Sequence, residues 1–303
     1  MNDIANKILC ELKKVIAGKD DILNILLAAV FAGGHILIED LPGTGKTTMA
    51  LALSKAMGLD FCRIQLTPDT MAGDITGYSA FDSAAGEFRF HKGAAFTDLL
   101  LADELNRTSG KTQAALLEAM EEGHCTVDGV TYELPAAFTV IATQNPSGTA
   151  GTWELPVSQL DRFAVRIRPG SPDRESLKRL LKERQCKDPM ESVCQVCTAR
   201  DLREIRRECG NVFISEPVYD YICDLWEKIS SEGKSLSPRG VLWLCRVSKA
   251  AAYISGRDYV VPRDIRDCFE PVCAHRLGVS SPESIEAILR SVTSPEIKGK
   301  GKA

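Results

Sequence analysis

The run Glu39-Asp40-Leu41-Pro42-Gly43-Thr44-Gly45-Lys46-Thr47 is entered from His35-Ile36-Leu37-Ile38 and left through Thr48-Met49-Ala50-Leu51-Ala52-Leu53. An apolar stretch, a glycine-rich turn and a second apolar stretch in that order read as strand, loop and helix. Such a loop aims successive backbone N–H groups and a helix N-terminus at one anion. Lys46 then reaches terminal phosphates, and the Thr47 hydroxyl can hold Mg²⁺. The expected ligand is a nucleoside triphosphate, held by Pro42, Gly43, Thr44, Gly45, Lys46, Thr47 and Thr48. Asp40 departs from G-x-x-x-x-G-K-[ST], which asks for glycine at that position. Aspartate tolerates positive φ, but an inward carboxylate would repel phosphates, so it is expected to point outward.

At 303 residues the chain can hold two domains, each with its own core. A net charge of -4 and a pI near 5.7 leave no basic footprint for nucleic acid. Asn2, Asp3, Lys7 and Glu11 interrupt the apolar residues at the start, and no run approaches the ~20 apolar residues of a membrane span, so a cytoplasmic protein is expected. Eleven cysteines at irregular spacing suit reduced thiols packed in helices better than a disulfide framework.

Apolar positions at helical spacing occupy 3–16 and 20–32, and helices then alternate with short apolar runs to about residue 168. After the strand at 35–39, the strand candidates are Phe61–Leu66, Leu99–Ala102, Phe138–Ala142 and Ala164–Arg168. Such runs suit a doubly wound parallel five-stranded sheet covered by helices on both faces, an α/β fold. Two segments break the alternation and read as hairpins: Tyr78–Phe90, and Cys125–Leu134 around Asp128-Gly129. Beyond Pro169 only amphipathic helices are expected, the first over Asp173–Cys186. The division is a core over 1–170 with hairpin insertions near 78–90 and 125–134, an all-α lid over 171–293, and a flexible tail over 294–303.

A second apolar strand ends in the adjacent carboxylates Asp103-Glu104. Strand ends place such residues at the ligand crevice of an α/β sheet. Asp103 is expected to hold Mg²⁺ beside Thr47, and Glu104 to orient and polarise the attacking water.

These residues together resemble the MoxR group of the AAA+ ATPases, a P-loop family related to magnesium-chelatase ATPase subunits. Arg63-Ile64-Gln65-Leu66-Thr67-Pro68-Asp69 and Asp74-Ile75-Thr76-Gly77 are similar to its segment after the second strand, and Asp103-Glu104-Leu105-Asn106-Arg107 to its Walker B run. Ala142-Thr143-Gln144-Asn145-Pro146 resembles sensor 1, Gln159-Leu160-Asp161-Arg162-Phe163 the stretch before the last strand, and Ser237-Pro238-Arg239-Gly240 sensor 2 in a helical lid.

The resemblance implies ATP hydrolysis with ATP/ADP and Mg²⁺ as cofactors. Asn145 would hydrogen-bond the attacking water or the γ-phosphate, Arg162 would be the arginine finger entering a neighbour's site, and Arg239 would reach the phosphates from the lid. Ile16, Ala17 and Gly18 would flank the adenine. The implied partners are further copies in a hexameric ring and a protein client with a von Willebrand factor A domain, remodelled in a chaperone-like way. The first hairpin, with Phe88 and Phe90 at its exposed end, would face the pore or the partner. Two other readings stay open: a nucleic-acid motor, which the acidic balance argues against, and a nucleotide-dependent switch or scaffold with little turnover.

Overall fold

A computed structural model describes residues 2–40, 44–145, 154–183, 189–279 and 281–295. Helices α1 (Asn2–Val15) and α2 (Asp20–Phe31) precede β1 (Ile36–Glu39), α3 (Lys46–Met57) and β2 (Phe61–Gln65). Then come α4 (Ala72–Thr76), β3 (Tyr78–Asp82), β4 (Glu87–His91), β5 (Leu99–Asp103) and α5 (Gly110–Glu122). The second hairpin, β6 (His124–Val127) and β7 (Val130–Glu133), leads to β8 (Thr139–Gln144), α6 (Val157–Leu160) and β9 (Val165–Ile167). The rest is helical: α7 (Arg174–Glu183), α8 (Ala199–Gly210), α9 (Glu216–Ser231), α10 (Pro238–Ile254), α11 (Pro262–Cys273) and α12 (Pro282–Ser291).

Five strands form one sheet in the order β2-β5-β8-β1-β9, and every pairing in it is parallel. The fold class is α/β, a parallel five-stranded sheet with helices on both faces and a C-terminal helical lid. Strand residues point alternately to the two faces, and the burial follows that period of two. Ile36, Ile38, Leu99, Leu101 and Ile141 enter one buried cluster, while Leu37, Leu100, Ala102, Val140 and Ala142 enter the other. The first face is covered by α1, α2 and α3. Helix α1 buries Ala5, Ile8, Leu9, Leu12 and Val15, a spacing that lays one apolar stripe along it. The opposite face is covered by α5 through Leu116, Leu117 and Met120. Each such leucine contributes about 1.5–3 kcal/mol by leaving water.

The first buried cluster continues into the lid through Leu202, Val218, Leu225, Leu244, Val247, Ile265 and Phe269. Helix α10 packs along α2 and α11, so the lid lies against the base of the sheet-covering helices.

Strand ends differ from expectation by one or two residues, in a direction that matters. Strand β8 runs on through Gln144 and β5 through Asp103, because Glu39 and Gln144 face each other in register, as do Gln65 and Asp103. Polar side chains therefore belong to the strands and project at their carboxyl ends. Helix α7 starts at Arg174, since Asp173 Oδ1 accepts from the Ser176 N–H at 2.8 Å and so caps the helix; the expected end at Cys186 falls outside the described residues. Both hairpins are present. Asp128 and Gly129 have φ of 51° and 78°, the paired positive values that a tight two-residue turn between right-twisted strands needs. Phe88 is 73% exposed, whereas Phe90 is not an exposed tip residue: its ring stacks on Tyr132 at 3.8 Å and joins the two hairpins.

Candidate nucleotide site

The carboxyl ends of β1, β5 and β8 lie side by side and bring Asp40, Asp103, Glu104 and Asn145 to one edge of the sheet. Gly45 is the N-cap of α3 with φ of +89°, a conformation that a side chain would strain, so the chain can turn straight into the helix. Lys46 is the first residue of α3 and 9% exposed. Its Nζ donates to the Asp40 backbone carbonyl at 2.8 Å. Burial pushes the Lys46 pKa down, and the carboxylates of Asp103, Asp40 and Glu104 act against that shift. One ammonium thus feels all three acids. The Asp40 carboxylate is turned toward the segment after β9, where its Oδ2 accepts from the Gly170 N–H at 2.8 Å.

Glu104 follows β5 with φ of 59° and ψ of 49°, the left-handed region that costs a residue with a side chain about 1–3 kcal/mol. The surroundings hold it there. Its N–H donates to Thr143 Oγ1 at 2.9 Å, and the same hydroxyl donates to Asp103 Oδ1 at 2.5 Å. Glu104 Oε2 accepts from Gln65 Nε2 at 2.9 Å and Oε1 from Asn145 Nδ2 at 3.3 Å. Asn145 is in turn locked to Asn106: Asn106 Nδ2 donates to the Asn145 carbonyl at 3.1 Å, and the Asn145 N–H donates to Asn106 Oδ1 at 3.4 Å. Sequence reasoning did not single out Thr143, Gln65 or Asn106 for these roles. Thr143 is fully buried near the carboxyl end of β8, next to the strand-end carboxylates.

Asp103 Oδ2 pairs with Arg63 at 2.7 Å, and the Arg63 side chain is 47% exposed. The Asp103 carboxylate at the strand end and the Thr47 hydroxyl at the helix start are ligands of oxygen type, the chemistry that fits Mg²⁺.

On the other side of the loop, Ile16, Ala17, Thr44, Gly45 and Thr48 line one cleft with Lys19, Met49, Pro169 and Gly170. Pro42 and Gly43 lie outside the described residues. Gly18 is needed at its position: a Cβ there would stand 2.1 Å from Ser176 Oγ, and its φ is +67°. Lys19, also missed from sequence, ties this wall together by donating from Nζ to the carbonyls of Pro169, Gly170 and Ser171.

Arg162 and Arg239 are elsewhere. Both pair with Glu121 near the end of α5, Arg162 at 2.8 Å. They line a separate cavity of about 440 Å³ with His35, Trp243 and Arg246. Arg239, expected to reach the phosphates from the lid, stands beside Arg162 and is absent from the lining of the loop cleft. The cause is the anchoring of α10. Ser237 Oγ donates to Asp161 Oδ1 at 2.8 Å, and the buried Arg276 holds the same oxygen at 2.7 Å. The start of the lid helix is thereby fixed to the chain just before Arg162.

Residues 35–165 match the ATPase family associated with various cellular activities (AAA), and residues 234–292 match the AAA lid domain. Chaperone MoxR1 of Mycobacterium tuberculosis is 32% identical over 308 residues, which cover 95% of this chain and 81% of that one. The chain belongs to the MoxR family of AAA+ ATPases. YeaC of Bacillus subtilis, an uncharacterised protein, is 40% identical over 97% of this chain and 94% of its own length. The crystal structure of a candidate ATPase from Cytophaga hutchinsonii superposes with a TM-score of 0.87 at 36% identity, covering 97% of this chain and 96% of that one. This MoxR-family chain is accordingly an ATPase of a chaperone family. Among the described residues no helix is long and apolar enough to cross a membrane.

Proposed function

We propose that this ATPase works in the cytoplasm as a hexameric ring whose sites are each completed by a neighbouring copy, and that the ring remodels a protein client carrying a von Willebrand factor A domain. One observation carries the shared site: Lys46, Asp103, Glu104 and Asn145 form one cluster, while Arg162 and Arg239 form another around Glu121. The hydrolysis of a triphosphate needs both kinds of group, a water-orienting acid and cations for the charge spreading over the transferred phosphoryl group. A single subunit holds them apart.

In the first cluster the loop N–H groups and Lys46 bind the phosphates. Thr47 and Asp103 would hold Mg²⁺, which neutralises charge on the β- and γ-phosphates. Glu104 accepts a proton from the attacking water, and Asn145, held by Asn106, fixes the position of that carboxylate. Ile16, Ala17 and Gly18 flank the base. Arg162 and Arg239 of one copy meet the phosphates bound by the next. The client reading draws on the family resemblance and on the relative named a chaperone.

The test is the specific ATPase activity with Mg-ATP as subunit concentration is raised, read beside the oligomer size. Turnover per subunit is expected to climb with assembly and then level off. A flat profile from a strictly monomeric protein would overturn the shared site.

A further inference from the structure

The cavity at the end of α5 gathers three guanidinium groups, those of Arg162, Arg239 and Arg246, around one carboxylate. Glu121 gives one oxygen to each of two: Oε2 pairs with Arg162 at 2.8 Å and Oε1 with Arg239. Arg162 Nη1 also donates to the Leu117 carbonyl at 3.0 Å, one turn back on the same helix. Arg246 lies over the Trp243 ring at 5.2 Å, and no ion pair to it is found among the described residues. All of Glu121, Arg162 and Arg239 keep about a third or more of their side chains exposed, at 31%, 33% and 41%.

Two guanidinium groups brought together for one polyphosphate repel each other, the more so as a docking partner removes water. A carboxylate between them offsets that repulsion. Each guanidinium has five donors in a fixed fork, so one contact to Glu121 leaves the others for an incoming phosphate. Arg162 and Arg239 come from distant parts of the chain, one before β9 and one at the start of α10, and Glu121 is the group that both share. With Glu121 ionised the pair keeps one net positive charge and a single orientation.

We propose that Glu121 is a positioning residue that yokes Arg162 and Arg239 into one clamp for the phosphates bound by the neighbouring subunit. This rests on the shared-site reading above. Glu121 itself is outside the cleft that holds the subunit's own nucleotide, so its loss acts on turnover and spares binding.

The experiment compares Glu121→Ala and Glu121→Gln, the second retaining the volume should the first fail to fold. Each variant is assayed alone and mixed with Glu104→Gln subunits, with Arg162→Ala mixed in the same way as a control. Glu121→Gln alone is expected to lose roughly 10- to 100-fold in kcat, with KM for ATP within about twofold, because a transition-state contact is weakened and ground-state binding is not. Mixing should restore part of that turnover, since a Glu104→Gln neighbour supplies an intact clamp to an intact acid cluster. Wild-type kcat in Glu121→Gln, or a loss not restored by mixing while that of Arg162→Ala is, overturns the yoke and leaves the shared site standing. If neither mixture recovers, the shared-site reading falls and the yoke with it.

Discussion

The strand-end cluster and the arginine cavity are made in opposite ways. In the first, contiguous stretches carry the chemistry: Gly45-Lys46-Thr47 at a helix start, Asp103-Glu104 and Thr143-Gln144-Asn145 at strand ends. Parallel pairing of β1, β5 and β8 lines these up without further help. In the second, single residues from α5, the β9 approach and α10 meet only because Asp161, Ser237 and Arg276 pin the lid to the core. A site written into strand ends tolerates little displacement. One built between a core and a lid depends on where the lid sits, here fixed through Asp161, Ser237 and Arg276.

The sharpest way to break this comparison is to change only the first region. Glu104→Gln keeps the shape and the Asn145 contact but removes the base, and turnover should fall by more than roughly 100-fold with nucleotide binding unchanged. Nucleotide affinity comes from a binding titration and turnover from phosphate release. Unchanged turnover would take the water-orienting role from Glu104.

A smaller effect sharpens the second region. His35 lines the arginine cavity from beneath, with its Nε2 donating to the Met120 carbonyl at 2.9 Å and its Nδ1 accepting from the Val140 N–H at 3.0 Å. Both nitrogens are used by the neutral ring, and burial pushes the pKa down to about 4 from 6.5. Between those values the unfolded chain binds the proton that the folded chain refuses. Stability is therefore full above pH 6.5 and falls as pH drops toward 4, by up to about 3 kcal/mol for this one group. Thermal melting across that range should show a shallower slope for His35→Gln than for the wild type.

Much of this was legible from residues alone, because short-range pattern and strand-end chemistry are local. All five sheet strands, the helix after the glycine-rich segment and both hairpins followed from apolar runs, turn residues and spacing. Strand ends were read short at Asp103 and Gln144, where a polar residue remains in the ladder because its backbone still pairs. What was not legible depends on contacts across the fold. The place of Arg239 beside Glu121 was not legible, since nothing in Ser237-Pro238-Arg239 says that Asp161 will anchor that helix start. Thr143, whose hydroxyl holds both Asp103 and Glu104, and Glu121, which holds both arginines, emerge only from the packing.

The most direct test of two half-sites on opposite parts of one subunit is the ATPase activity of Arg162→Ala and Glu104→Gln subunits, each inactive alone, mixed at varied ratios. Every interface that sets a Glu104→Gln clamp against an Arg162→Ala acid cluster is complete, so activity should rise to a maximum at intermediate ratios. Activity that stays at the level of the separate variants across all ratios, in assembled protein, would contradict the account.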